Sequence, residues 1–477
     1  MRLRPQLPGR RRRLRRLQPL TADRALRVAV VGSGPAGFFT AGHLLAADRA
    51  VEVDLLERLP TPWGLVRLGV APDHPELKTA SRTFEKIASE QGFRFFGNVE
   101  MGRDVTHEEL SRLYDAVVYT VGAQSDRRLG IPGEDLAGSW PATAFVAWYN
   151  GHPDHQHLEF DLDVERAVVI GNGNVAVDVA RLLALTPAEL APTDAADSAI
   201  EALNRAAVRE IVMLGRRGPA QGAFTPKELK ELGELAGADV EVDPADLVLD
   251  PASAAALEAD RARAQRNVDI LREFAGRPAG TKAKRLKLGF KLSPVQILGE
   301  GKVEAIEVVR NELVADERGR IQAVPTGEVE VIPCGLVLRS VGYRGVALPG
   351  VPFHEEHGVI PNREGRVLGE GGEPLPGVYC AGWIKRGPSG VIGTNKKDAA
   401  ETAERLLEDA RAGLLRSEGG ELEELLRERG VEAVEYAGWE AIDRHERGRG
   451  EPHGRPRVKL TSWDDLLARA RELERQS

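Results

Sequence analysis

The chain has 477 residues, 42% hydrophobic and 29% charged, which is enough for two or three domains with substantial cores. A net charge of −8 argues against general nucleic-acid binding, and no apolar run approaches the roughly 20 residues that cross a bilayer. Its two cysteines, Cys334 and Cys380, are too far apart for a Cys-x-x-Cys redox pair and too few for an iron–sulfur cluster, so electron chemistry has to come from a bound cofactor; two inert thiols suit a reducing cytoplasm.

The first 26 residues stand apart. Arg10 to Arg16 is nearly all arginine, and no acid precedes Asp23. With no serine and only a thin apolar stripe at Leu14 and Leu17, this reads as a disordered basic arm, or as an over-extended start, rather than as a mitochondrial leader. Residues 27–31 then predict a strand entering the loop Gly32-Ser-Gly34-Pro-Ala-Gly37, with a crossover helix over 38–47 and a second strand over 51–56 closing on Glu57. An amphipathic helix is expected over 79–91 and a buried strand over 115–121, and the turn-rich Gly130-Ile-Pro-Gly133 marks a boundary. The pattern then repeats: strand 166–170, loop Gly171-Asn-Gly173-Asn-Val-Ala176, helix 175–185. After an insertion over 186–199 come a helix over 200–207 and a strand over 211–214, which leads into Arg216-Arg217. Residues 243–280 read as solvated helix, and 286–310 as antiparallel strands or a hairpin. Apolar runs at 336–342 and 378–382 precede a helix over 394–410, and the charged tail 421–477 has helical leucine spacing with Trp439 and Trp463 as anchors.

A glycine loop between a strand and a helix, with an acid about twenty residues on, is a dinucleotide fingerprint. Gly32, Gly34 and Gly37 allow a tight turn and close approach of a pyrophosphate to free N–H groups at the helix start, and Glu57 can accept from ribose hydroxyls. In the second loop Ala176 replaces the third glycine, a tolerated variant, and Asn172 and Asn174 add amides near the phosphates. Arg216 and Arg217 stand where a ribose 2′-phosphate would lie, and guanidinium forks match phosphate bidentately. Two dinucleotides are expected, the second one phosphorylated.

The segments Leu65-Val-Arg-Leu-Gly-Val-Ala-Pro-Asp-His-Pro75, Gly171-Asn-Gly-Asn-Val-Ala-Val-Asp178, Gly215-Arg-Arg-Gly-Pro219 and Gly382-Trp-Ile-Lys-Arg-Gly-Pro-Ser-Gly390 resemble the adrenodoxin-reductase type of ferredoxin–NADP reductase, in a bacterial form. The similarity runs from about residue 27 to the C-terminus, outside the basic arm and the 186–199 insertion. It implies an α/β protein with two Rossmann-like domains, the NADP domain inserted in the FAD domain as in glutathione reductase. The boundaries read as 1–26 for the arm, 27–123 and 336–477 for the FAD-binding domain, and 124–335 for the NADP-binding domain. The resemblance implies FAD contacts at Ala36, Glu57, Leu65, Met101 (through its main chain), Trp383, Gly390, Val391 and Ile392. It implies NADP(H) contacts at Asn172, Gly173, Asn174, Val175, Arg216, Arg217, Glu228 and Gly390. A glycine at 390 suits a nicotinamide that must stack on the flavin with nothing between. His74, Glu228 and Asp178 are the polar candidates for orienting nicotinamide or relaying a proton, and no metal site is read.

The resemblance also implies an iron–sulfur partner that accepts electrons singly. An acidic ferredoxin needs a basic surface, for which Lys282, Lys284, Arg285, Lys287 and Lys291 are the first candidate cluster, and Lys385, Arg386, Lys396 and Lys397 the second. The leading expectation is therefore an NADPH:ferredoxin oxidoreductase. A flavin monooxygenase or diaphorase and a non-enzymatic NADPH-sensing flavoprotein stay open at this point, whereas a disulfide reductase or a cluster-bearing synthase subunit lacks its cysteines.

Overall fold

The computed structural model describes residues 18–19, 24–259, 261–278 and 280–474, and it divides into two compact units. The first holds the chain up to Thr61, Phe84–Gly122 and Val346–Tyr436; the second holds Pro62–Thr83, Ala123–Gly345 and the chain from Ala437 onward.

The first unit is built on a seven-stranded sheet. Its parallel part runs Phe93–Phe96, Val51–Leu56, Leu26–Val31, Ala116–Tyr119 and Pro374–Cys380, and two short antiparallel strands, Arg366–Leu368 and Asn362–Arg363, finish the edge. Continuous apolar runs form these strands because both faces are covered: Val28, Ala29 and Val30 are fully buried. The helix Pro35–Leu45 follows the first strand and packs against the 20-residue helix Ile392–Arg411. Phe38 stacks on Phe84 at 4.8 Å beneath it. Arg10 to Arg16 lie outside the described residues, but Gln18–Pro19 forms a short antiparallel strand with Arg416–Ser417.

The second unit carries a six-stranded parallel sheet in the order Ala238–Val242, Lys284–Phe290, Glu210–Gly215, Arg166–Ile170, Leu336–Arg339, Ser139–Pro141. A three-stranded antiparallel meander follows, Leu292–Leu298, Ala305–Ala315 and Ile321–Pro333. The expected antiparallel pairing over 286–310 is thus corrected in part. Lys284–Phe290 is an inner parallel strand whose alternation arises because Arg285 and Lys287 both reach Glu210, at 3.1 and 3.2 Å.

Three segments depart from the expected domain boundaries. Leu336–Arg339 pairs with Arg166–Ile170 and belongs to the second sheet, so the chain crosses back near residue 345 rather than 335. Pro62–Thr83 and the tail from Ala437 also belong to the second unit. The reason is packing: Trp439, 1% exposed, meets Trp63 edge-on at 4.8 Å, and Arg67 lies over the Trp439 ring. Arg67 then pairs with the fully buried Glu446 through two bonds of 2.5 and 2.7 Å.

Candidate active site

Both glycine loops have the same local build. Gly32 and Gly171 adopt positive φ values of 105° and 141°, and each presses on the backbone after a neighbouring strand, where an added Cβ would meet the Thr120 or Ser340 carbonyl oxygen at 2.8 and 2.2 Å. Gly34 and Gly173 are the N-caps of the helices Pro35–Leu45 and Asn174–Ala184. Neither cap has a side-chain hydrogen bond, and nothing lies within 4 Å above either glycine. Two helix N-termini thus present N–H groups into open space, the donor set and cradle that a pyrophosphate fits. The helix His107–Leu113, in contrast, is closed by a Thr106–Glu109 capping box.

In the first unit Glu57 turns back onto its loop. Its Oε2 accepts from the Ser33 N–H at 3.1 Å and from the Ser33 hydroxyl at 2.6 Å, and its Oε1 accepts from the Leu59 N–H at 3.0 Å. Ala36 is buried, and Gly382 lies so close to it that a Cβ at 382 would stand 2.6 Å from the Ala36 methyl. The C-terminal motif therefore reaches the first glycine loop. A partly buried carboxylate, Asp398, accepts from the Gly382 N–H and pairs with Lys385 at 3.1 Å, pinning this turn to the long helix. The Trp383 indole N–H donates to the Ser389 carbonyl at 3.1 Å, which folds the 383–390 loop on itself. Gly390 is exposed with φ of 81°, Val391 is 60% exposed, and Ile392 opens the helix. The Met101 side chain is buried in one cluster with Leu56 and Phe96. Leu65, 38% exposed, is grouped with the second unit and not with these residues.

In the second unit Arg216 and Arg217 follow the strand Glu210–Gly215. Their carbonyls are held by Asn311 Nδ2 at 2.9 Å and by the Lys291 N–H at 3.0 Å, while both side chains are exposed with no acid in contact among the described residues. Partial burial, and then the neighbouring Arg216, pull the Arg217 guanidinium below its ordinary range. Two uncompensated cations side by side fit a dianion. Asn174 Oδ1 accepts from the Thr225 N–H at 2.8 Å, which fixes the orientation of its amide, whereas Asn172 Oδ1 is buried without a partner. Val175 lies in the first turn of the helix.

His74, Asp178 and Glu228 come together, with His74 Nδ1 at 3.9 Å from Asp178 and 3.7 Å from Glu228. Two residues missed in the sequence complete the cluster. Glu231 contacts His74 Nε2 at 2.8 Å, and Arg181, 3% exposed, reaches Asp73, Asp178, Glu228 and Glu231 at 2.7, 2.9, 3.5 and 3.3 Å. Their signal was available: Asp178 and Arg181, like Glu228 and Glu231, are three apart on a helix and share a face. The His74, Asp178 and Glu228 ligand atoms lie within 4.8 Å of one another, close enough for a metal ion, but the Arg181 guanidinium already supplies the cation there.

Removal from water pushes the Asp178 carboxyl up to about 7; Arg181 opposes this and Glu228 adds to it. A folded-state value above the unfolded one means that the folded chain binds the extra proton between about pH 4 and 7, so this group lowers stability as pH rises through that window. Asp178→Asn should therefore stabilise the protein more at pH 8 than at pH 5, by more than about 1 kcal/mol. Thermal melts at both pH values check this, and an equal effect at both contradicts it.

The chain matches the family model described as pyridine nucleotide-disulphide oxidoreductase over residues 26–213. It is 51% identical to NADPH-ferredoxin reductase FprA of Mycobacterium leprae over 453 residues, 92% of this chain and 97% of that protein. It is 45% identical to the mitochondrial NADPH:adrenodoxin oxidoreductase of Homo sapiens over 464 residues, 94% of this chain and 92% of that one. The solved structure of Mycobacterium tuberculosis FprA in complex with NADPH aligns with a TM-score of 0.88 at 50% identity, covering 94% of this chain and all of that one. Fold and site define a two-unit dinucleotide-binding oxidoreductase. The chain belongs to the NADPH-ferredoxin and NADPH:adrenodoxin reductase family.

Proposed function

We infer that this protein is an NADPH:ferredoxin oxidoreductase that holds FAD on the first glycine loop and NADP(H) on the second. The observation that carries the reading is the pair of uncapped helix N-termini whose following strands end differently, one on Glu57 and the other on the free pair Arg216-Arg217. Bound FAD supplies the conversion of a hydride's electron pair into single-electron transfers.

The chain's own residues bind and orient. The N–H groups above Gly34 and Gly173 would hold the two pyrophosphates, Glu57 a ribose diol, and Arg216 with Arg217 the 2′-phosphate. Ala36, Leu65, the Met101 main chain, Trp383 and the turn Gly390, Val391 and Ile392 would line the FAD. Asn172, Asn174, Val175 and Glu228 would line the nicotinamide nucleotide, the orphaned Asn172 Oδ1 taking a hydroxyl donor. His74, Glu228 and Asp178 would orient the nicotinamide and hold a proton on the Asp178 carboxyl. Hydride transfer depends on geometry before acid–base chemistry, so His74→Ala or Glu228→Ala should slow flavin reduction by NADPH about tenfold or more while leaving FAD content unchanged. Stopped-flow bleaching of the flavin measures this, and wild-type rates in both variants would reject the role.

The partner is an iron–sulfur protein, and we propose an acidic ferredoxin. Of the first basic cluster, Arg285 and Lys287 share Glu210, the Lys282 and Lys284 ammonium groups donate to the Leu235 and Leu183 carbonyls, and Lys291 lies 3.9 Å from Asp250. That segment offers less free charge than its sequence implies. In the second cluster Lys385 is buried against Asp398 and Glu401, whereas Lys396 and Lys397 are exposed with no acid in contact among the described residues. Among the described residues no helix is long and apolar enough to cross a membrane. Both cysteines are buried free thiols, and burial pushes Cys334 up to about 12, which suits the cytoplasm we propose as the compartment.

A further inference from the structure

Arg181 sits in a nest of four carboxylates and a histidine, and its contacts constrain that histidine's proton. The residue sits on the helix Asn174–Ala184, three positions after Asp178, with 3% of its surface exposed. Its Nε and Nη2 hold Asp73 through bonds of 2.7 and 3.1 Å, which fastens the 71–75 loop to the helix directly beside His74. Nη2 also donates to Asp178 Oδ1 at 2.9 Å and lies 3.3 Å from His74 Nδ1, its two N–H groups being shared among three acceptors. A guanidinium has only donors, so Nδ1 must accept there and its lone pair must be free. A proton on Nδ1 would set two donors face to face at 3.3 Å. The ring proton therefore belongs on Nε2, which donates to Glu231 Oε2 at 2.8 Å. The same oxygen takes a second donor, Arg181 Nη1, at 3.3 Å, so arginine, histidine and Glu231 close a ring of hydrogen bonds.

We propose that Arg181 is a positioning residue that fixes His74 in its Nε2–H tautomer and holds Glu231 as the acceptor of that proton. The proposal rests on the reading of His74 as a residue that orients the nicotinamide, because a ring with the wrong tautomer turns a donor into an acceptor. Lysine at 181 would keep the charge but could not span Asp73 and Nδ1 together, since it lacks the planar fork.

The test is nitrogen-15 NMR of histidine-labelled holoprotein at mildly alkaline pH, with the His74 signals assigned by their loss in His74→Gln. Wild type should show a pyridine-like Nδ1 and a pyrrole-like Nε2. Arg181→Lys should give mixed tautomers and, in stopped flow, flavin reduction by NADPH slowed about tenfold at unchanged FAD content. The same substitution in a His74→Ala background should cost less than about twofold, because the effect passes through His74. A pyrrole-like Nδ1 in wild type, an unchanged tautomer in Arg181→Lys, or an equal slowing in both backgrounds would overturn the proposal. The wild-type spectrum decides even if a variant fails to fold. Wild-type flavin reduction in His74→Ala would remove the role assigned to His74 but leave the Arg181–His74 link standing, so the two readings fail separately.

Discussion

Replacing Arg216 and Arg217 together with alanine should lower kcat/KM for NADPH by about 10²–10⁴-fold while leaving the value for NADH within about threefold. Each guanidinium would donate charge-assisted hydrogen bonds to a phosphate, worth roughly 1.5–3 kcal/mol apiece, and about 1.4 kcal/mol is tenfold in affinity. Both backbones are pinned by Asn311 and Lys291, so truncating the side chains leaves the loop in place. The two arginines have no acid in contact among the described residues, and their removal strands no buried partner. NADH lacks the 2′-phosphate and should be almost indifferent. Initial rates with both nucleotides check this; an equal loss for both would mean that the arginines act on structure rather than on the phosphate.

The second large effect is on stability. Glu446→Ala should destabilise the second unit by about 3–5 kcal/mol, because it leaves Arg67 buried without its counter-ion. Arg457 at 3.2 Å and the Leu460 N–H at 2.8 Å lose the same acceptor. The double variant Arg67→Met with Glu446→Leu should recover part of that loss, since two apolar side chains then replace two charges. Urea unfolding followed by tryptophan fluorescence reads the transition through Trp63 and Trp439, which pack at this pair. A midpoint unchanged in Glu446→Ala would contradict the role given to the pair.

What could be read in the chain was local. Strands such as Leu26–Val31 and Arg166–Ile170 each run into a glycine loop, and their apolar runs are long enough to fix the period. Lys284–Phe290 was misread because ion pairs to Glu210 put charges on alternate residues of a buried parallel strand, the same pattern that a half-exposed hairpin shows. The tail was misplaced for a related reason. Glu446, Arg457 and Lys459 count as solvent-facing charges in a sequence, yet here Glu446 is fully buried against Arg67, and Lys459 Nζ lies 3.4 Å from buried Asp194. Asp194 belongs to the insertion over 186–199, as do the Thr193 and Ala195 carbonyls that accept from Arg455 at 2.8 and 2.6 Å. A segment outside the family resemblance thus anchors the tail. At the site, His74 was legible from its motif, but its partners Arg181 and Glu231 needed the fold to bring three separate segments together.

The most direct test of the whole account is anaerobic mixing of the FAD-loaded protein with a limiting amount of NADPH and an excess of oxidised ferredoxin. Two ferredoxins should be reduced for each NADPH consumed, with NADH a poor substitute. NADPH consumption with the ferredoxin left oxidised, or a protein that binds no flavin, would contradict it.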